Sequence, residues 1–127
     1  MRKTCIMLIA FSFIAVILLG CREGLQVECT TKMKDVSVKN KEVGAYFHVK
    51  CPANCKMGTV WGTDIYSTDS SVCAAGVHAG VINQKGGGSF KVTVIKAPDK
   101  YFGSWKNEVK SDNWKTPFAS TAFKVDR

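Results

Sequence analysis

Several kinds of sequence pattern are missing from this chain, and each absence excludes a class of protein. It has no arginine-rich run and no aromatic RNA-binding motif, which argues against nucleic-acid binding. It also has no internal repeat, no heptad pattern and no low-complexity linker, so solenoids and coiled coils are excluded. The chain has 127 residues, a length that suits one compact domain.

The N-terminal segment contains the one long apolar run in the sequence. About fifteen apolar residues, 5–19, follow Arg2 and Lys3 and end before Gly20. This run is shorter than the ~20 residues that a membrane-spanning helix needs. We therefore predict a signal peptide over residues 1–20 and a single secreted, extracellular domain over residues 21–127. An N-terminal membrane anchor stays open as an alternative, as does lipidation of Cys21, because "LLGC" resembles the lipobox of bacterial lipoproteins.

The charge is strongly basic. Eighteen Lys and Arg residues stand against ten Asp and Glu residues, for a formal charge of +8, and loss of Arg2 and Lys3 with the leader leaves about +6. A basic exported domain attracts anionic partners such as sulfated glycans, lipid headgroups or bacterial envelopes. The alternative is a solvated surface that has no specific partner.

The cysteines predict a disulfide framework. When Cys5 and Cys21 are set aside, four remain: Cys29, Cys51, Cys55 and Cys73. An even number in a small exported domain is typical of disulfides, and spacing alone leaves three pairings open. A bridge between Cys51 and Cys55 would close only a small ring. Loop size therefore favours Cys29 with Cys51 and Cys55 with Cys73, whose loops of about twenty residues are each worth roughly 3 kcal/mol.

The segment "CPANC" also has a spacing found in zinc sites. His48 and His78 are the only histidines that could add nitrogen ligands. An oxidising compartment favours disulfides over zinc thiolates, however, and the sequence contains no second close Cys/His pair. We therefore expect neither a metal nor a cofactor.

Period-2 alternation predicts a largely β chain. The strongest strand runs from residue 46 to residue 51, with Tyr46, His48 and Lys50 on one face. Further strands are predicted over residues 25–29, 36–38, 59–61, 65–66, 90–94 and 120–125. The segment between the last two of these strands is predicted to be loop-rich, with three aromatic anchors: Tyr101, Trp105 and Trp114.

One segment predicts a helix. Asp69, Ser70 and Ser71 are suitable N-caps, and Gly80 is a suitable C-terminal stop. The residues between them are small or apolar on every side, so the helix should be buried. Gly76 costs such a helix about 1 kcal/mol relative to alanine. The fold class is therefore α+β.

These residues resemble the LCCL domain, an extracellular module. The family signature is Tyr-x3-Ser-x2-Cys-x-Ala-Ala-x-His-x-Gly, and only its second alanine differs here, as Gly76. The matching positions are Tyr66, Ser70, Cys73, Ala75, His78 and Gly80. The other cysteines and the tail "GGGSFKVTV" extend the similarity to roughly residues 27–125.

The resemblance implies a short, buried central helix wrapped by two small β-sheets and stapled by disulfides. It also implies pairing of the first cysteine with the second and of the third with the fourth. Its functional implication is binding of lipopolysaccharide or other anionic carbohydrate, with a role in innate immunity. The alternative is an extracellular matrix or protein–protein interaction module.

The residues do not predict an enzyme. Cys73 and His78 are five residues apart, which places them about 140° apart around a helix, and a disulfide would consume the thiol of Cys73. We predict that His78 is structural, bonded to the backbone or to a tyrosine, and that Ser70 is an N-cap. For ligand contacts we select basic and aromatic residues of the last strands and tail: Lys91, Lys96, Trp105, Lys106 and Lys110. The alternative for the tryptophans is a place in the core.

Overall fold

The computed structural model describes residues 24–55, 58–115 and 119–127. The predicted leader over residues 1–20, and Cys21 after it, lie outside the described residues. The strands are β1 (Leu25–Gln26), β2 (Tyr46–Cys51), β3 (Gly62–Thr63), β4 (Ile65–Ser67), β5 (Gly88–Lys96), β6 (Trp105–Lys106), β7 (Val109–Lys110) and β8 (Thr121–Asp126). A 3-10 helix spans Met33–Asp35, and helix α1 spans Val72–Ala79.

Six strands form the main sheet in the order β1-β2-β5-β8-β4-β3. Only β1 and β2 pair in parallel; the other neighbours are antiparallel. Successive side chains of a strand point to opposite faces, so one face carries the apolar set of each central strand. The paired residues Val92 and Val125, and Val94 and Phe123, lie on this inner face and are buried.

Helix α1 packs on the inner face. The Oγ of Ser71 accepts a hydrogen bond from the Ala74 amide at 3.2 Å, and Gly80 ends the helix in the left-handed conformation at φ 79°. Every residue from Val72 to His78 is buried, as expected for a helix without a polar stripe. The hairpin of β6 and β7 covers the opposite side of the helix, where the Asn107 side chain donates to the His78 carbonyl at 2.9 Å. The chain is thus an α+β fold in which two sheets enclose one short helix.

Gly76 allows the sheet to approach the helix closely. A Cβ at this position would lie 2.7 Å from Cε1 and 2.8 Å from Cζ of Phe90, closer than real Cβ contacts. The glycine that departs from the family signature therefore makes room for a large core ring. Packing of Phe90 offsets the weak helix propensity of glycine.

The disulfide pairing that we preferred is wrong. The bridges join Cys29 to Cys55 and Cys51 to Cys73. Loop size did not separate the two pairings, because their loops are similar in length and the stabilisation varies only with the logarithm of that length.

The pairing follows from the parallel register of β1 and β2. Gln26 is paired with Lys50, and the Val27 amide donates to the Lys50 carbonyl at 3.1 Å. Because β1 runs parallel to β2, the residues after Val27 extend beyond the end of β2 at Cys51. Cys29 therefore lies near the turn that leads to Cys55. The bridge from Cys51, at the end of β2, to Cys73 then ties the sheet to the first turn of the helix.

Three strand predictions differ from the structure. The first strand is only two residues long, and residues 36–38 follow the 3-10 helix instead of forming a strand. Residues 59–61 precede β3, which forms at Gly62–Thr63. The hairpin of β6 and β7 was not predicted, because its turn residues Asn107 and Glu108 adopt positive φ angles of 50° and 63° without the glycine that usually marks such a turn.

Candidate functional site

His78 is a buried structural residue. Its Nδ1 lies 2.9 Å from the hydroxyl of Tyr66, and its Nε2 lies 3.2 Å from the carbonyl oxygen of Ser104. Because a carbonyl can only accept, Nε2 carries the proton and Nδ1 accepts from the Tyr66 hydroxyl. Burial lowers the pKa of His78 and raises that of Tyr66. The imidazole thus links β4, the helix and the segment before β6.

The other signature residues also have places in the fold. Ala75 is fully buried, and the sulfur of Cys73 is in a disulfide, so it offers no nucleophile. The prediction that Ser70 caps the helix is wrong, since Ser71 is the N-cap. The Oγ of Ser70 instead accepts from the Trp61 amide at 2.9 Å, which holds the start of β3 against the helix entry.

The five predicted contact residues do not form one surface. Trp105, Lys106 and Lys110 lie on the hairpin that covers the helix, whereas Lys91 lies on β5 with its side chain on the outer face of the main sheet. Lys96 ends β5 and is exposed. On the hairpin side, Lys106 is 3.5 Å from Asp64 and Lys110 is 3.9 Å from Asp112, so carboxylates partly offset these two charges.

The outer face of strands β2, β5 and β8 is basic. Tyr46 is paired with Thr93, His48 with Lys91, and Lys50 with Ser89. On the other side of β5, Lys91 is paired with Asp126 and Thr93 with Lys124. The face of these three strands therefore carries three lysines and one carboxylate, and we call it the basic face. The Nζ of Lys91 lies 5.5 Å from the centroid of the Tyr46 ring, within cation–π range.

Sequence reasoning placed Lys50 on one face with Tyr46 but did not select it or Lys124 as contacts. Alternation within a strand predicts which of its side chains share a face of the sheet. Which residues of neighbouring strands lie side by side depends on the register of the strands. No local pattern in the sequence supplies that register.

A groove with aromatic walls lies beyond β4. The rings of Trp61 and Trp114 meet edge to face, with centroids 4.8 Å apart and an interplanar angle of 72°. Tyr101 is 3 % exposed. The cavity measures about 290 Å³, and its polar lining includes Lys32, Ser67, Thr68 and Asp69. Burial, and then the charge of Asp69, raise the pKa of Tyr101, so its phenol stays protonated and able to donate.

The described residues show neither a metal centre nor a membrane span. Within residues 24–55, 58–115 and 119–127, no three His, Cys, Asp or Glu side chains are grouped so that they could hold a metal ion. In the same ranges, no helix has the length and apolar character needed to cross a bilayer.

The enclosed helix, the two bridges and the buried Tyr–His pair define a disulfide-stapled α+β module. Residues 27–121 match the family model of the LCCL domain, and the chain belongs to that family. The prediction made from the signature is therefore confirmed.

The relatives are longer proteins that contain this module. The chain is 34 % identical over 104 residues to human cysteine-rich secretory protein LCCL domain-containing 2, covering 78 % of this chain and 21 % of that protein. It is 38 % identical over 100 residues to clotting factor C of Tachypleus tridentatus, covering 77 % and 9 %. It is 37 % identical over 98 residues to human vitrin, covering 73 % and 13 %. The chain thus spans about a fifth or less of the length of these relatives.

Proposed function

We propose that this protein is a secreted, non-enzymatic LCCL-domain protein that binds anionic carbohydrate, such as lipopolysaccharide or a sulfated glycan, in host defence. The observation that carries the proposal is the basic face. The signal-peptide pattern of residues 1–20, with a domain at 21–127, supports secretion, as does the word "secretory" in the name of one relative.

The lysines of the basic face form a diagonal line. Lys50 is opposite Ser89, Lys91 follows two residues along β5, and Lys124 is opposite Thr93, two residues further. Each step therefore crosses one strand and advances two residues. Diagonal neighbours of this kind are about 7–8 Å apart, so one extended polyanion can contact all three ammonium groups.

The residues beside this line suit a saccharide. The Tyr46 side chain is 62 % exposed, and its ring faces the Lys91 ammonium. It offers a flat apolar surface next to a positive charge. Of the five residues predicted from the sequence, only Lys91 belongs to this line. The proposal adds Lys50 and Lys124 and leaves Lys96, Trp105, Lys106 and Lys110 outside the contact.

Affinity chromatography with matched charge variants tests the proposal. One variant carries Lys50→Gln, Lys91→Gln and Lys124→Gln. Its control carries Lys39→Gln, Lys85→Gln and Lys100→Gln, which removes the same charge from exposed loop positions. Retention on heparin resin and on lipopolysaccharide resin is compared by the salt concentration at elution, because salt screens surface charge.

We expect the basic-face variant to elute at clearly lower salt than the control variant. The two resins distinguish a sulfated glycan from lipopolysaccharide as the source of the ligand. Equal elution of the two variants would show that net charge alone causes retention, and would overturn the proposal.

A second candidate function is a protein interaction module. Phe102 and Trp105, three residues apart, are 70 % and 69 % exposed, so both can offer apolar surface to a partner. This function predicts concentration-dependent self-association in sedimentation equilibrium. The double variant Phe102→Ser with Trp105→Ser would lose that association. Added heparin would leave the association of the wild-type protein unchanged.

A further inference from the structure

The aromatic groove is held rigid by backbone pairing on both sides. Trp61 pairs with Asp112 in an isolated bridge, and Tyr101 pairs with Trp114. The Tyr101 amide donates a hydrogen bond to the Trp114 carbonyl at 2.8 Å, and the Trp114 amide donates one to the Tyr101 carbonyl at 3.1 Å. The backbone that carries these rings is therefore preorganised, and the edge-to-face contact of Trp61 with Trp114 holds the two indoles together; preorganisation lowers the entropy cost of binding.

The lining combines apolar rings with a few polar groups. Lys32 supplies donors, and the carboxylate of Asp69 supplies acceptors while one of its oxygens lies 2.7 Å from the Lys34 ammonium. Ser67 and Thr68 add hydroxyls. Mostly apolar pockets with a few convergent polar groups are typical small-ligand sites. A sugar ring has the matching chemistry, since its C–H face packs on aromatic rings and its hydroxyls bond to the rim.

The size of the groove favours a short segment of ligand. Its volume of about 290 Å³ is at the lower end of the ~300–1,000 Å³ that ligand pockets usually have. The groove therefore suits about one sugar ring and is too small for a long oligosaccharide.

The sheet register joins this groove to the basic face. Ser67 is paired with Ala122, and Ala122 with Ile95. Ala122 is two residues from Lys124 on β8, so Ser67 lies on the neighbouring strand, β4, two residues further along the sheet than Lys124. This is the same step that separates Lys50 from Lys91 and Lys91 from Lys124, so the diagonal line of lysines points towards the groove, whose wall at this end includes the buried Ser67.

We infer that the groove of Trp61, Tyr101 and Trp114 is a saccharide subsite at the end of that line. It holds one sugar ring of an anionic saccharide whose charged substituents lie along Lys124, Lys91 and Lys50. This inference rests on the proposed function and adds a site for the ring itself, so binding combines charge with recognition of the sugar.

Tryptophan fluorescence isolates the groove. The chain has three tryptophans, and Trp105→Phe removes the one on the hairpin, so both remaining indoles line the groove. The Trp105→Phe protein is titrated with heparin hexasaccharide, and separately with polyphosphate, a polyanion that has no sugar ring. We expect a saturable change in emission with heparin and none with polyphosphate, although both bind.

Calorimetry with groove variants gives the second readout. Trp114→Leu should weaken binding of heparin hexasaccharide about tenfold, as loss of an aromatic anchor does, and should leave polyphosphate binding unchanged. If thermal unfolding shows that this variant is not folded, Thr68→Val replaces it. That variant removes one hydroxyl and should weaken hexasaccharide binding about threefold or more.

Two results separate this inference from the proposed function. If heparin binds with no change in emission, and the folded groove variants bind it like wild type, the groove takes no part and the inference is overturned while the proposed function stands. If neither heparin nor lipopolysaccharide binds the wild-type protein, the proposed function fails, and the inference fails with it.

Discussion

The imidazole of His78 and the phenol of Tyr66 are joined by a buried hydrogen bond of 2.9 Å between Nδ1 and the hydroxyl oxygen. Their rings meet at 86° with centroids 5.6 Å apart. Two residues of the family signature, twelve positions apart, thus form one contact between β4 and helix α1. The signature is structural at this point.

Removing the Tyr66 hydroxyl should destabilise the protein. Tyr66→Phe leaves the Nδ1 acceptor of His78 buried without a donor, which costs about 1–3 kcal/mol. Chemical denaturation measures the free energy of unfolding. The control is Tyr46→Phe, which removes a hydroxyl from a ring that is 62 % exposed. An equal effect of both changes would contradict the assigned role of the bond.

Stability should fall in mild acid because of His78. Burial lowers its pKa in the folded state below the ordinary 6.5, so the unfolded state binds the proton first as the pH falls. The stability is present above pH 6.5 and is lost progressively below it, by at most about 1.4 kcal/mol per pH unit. Between pH 7.5 and 5, the free energy of unfolding should fall less steeply with decreasing pH in His78→Gln than in the wild-type protein. The same slope in both proteins would count against this assignment.

An alanine at position 76 should destabilise the fold even though it restores the family signature. Its Cβ would lie within 2.8 Å of two atoms of the Phe90 ring. Overpacking of this kind costs about 1–3 kcal/mol, against about 1 kcal/mol gained in helix propensity. We expect Gly76→Ala to lower the free energy of unfolding. The double variant Gly76→Ala with Phe90→Leu should recover part of the loss, because the smaller side chain leaves room for the new methyl group.

Gly86 provides a matched control for this prediction. A Cβ at Gly86 has no heavy atom within 4 Å, so Gly86→Ala should be close to neutral. Stabilisation by Gly76→Ala in the presence of Phe90 would show that the helix can move away from the sheet.

The disulfide pairing predicts which cysteine pairs can be removed together. In a Cys21→Ala background, which removes the one cysteine of residues 21–127 outside the four, the double variant Cys51→Ala with Cys73→Ala should keep the bridge between Cys29 and Cys55 and titrate no free thiol. Cys29→Ala with Cys51→Ala should leave two free thiols, since both bridges lose a partner. Each lost bridge should also cost about 3 kcal/mol. The opposite thiol counts would support the pairing first expected from the family resemblance.

This variant design avoids an ambiguity in peptide mapping. Trypsin cleaves after Lys50 and Lys56, so Cys51 and Cys55 stay on one peptide. That peptide would be linked to those of Cys29 and Cys73 under either pairing.

Local features of the sequence were predicted well, and long-range ones were not. The buried helix followed from small apolar residues between Ser71 and Gly80, and β2 from its alternation. The disulfide pairing and the diagonal of Lys50, Lys91 and Lys124 depend on how strands align across the sheet. That alignment is set by packing between distant segments, so loop lengths and local patterns do not contain it.

The aromatic groove was missed for the same reason. Trp61 and Trp114 are far apart in the sequence, and no local pattern relates the two. Their edge-to-face packing depends on bridges between the β3 region and the tail, which no short motif indicates.

Chemical-shift mapping with heparin hexasaccharide tests the central claim most directly. In a titration of ¹⁵N-labelled protein, the account predicts that the largest amide shifts follow one diagonal, from Lys50 through Lys91 and Lys124 to Ser67, and continue to the indole N–H groups of Trp61 and Trp114. Shifts centred on Trp105, Lys106 and Lys110, with the diagonal unchanged, would contradict it and place binding on the hairpin.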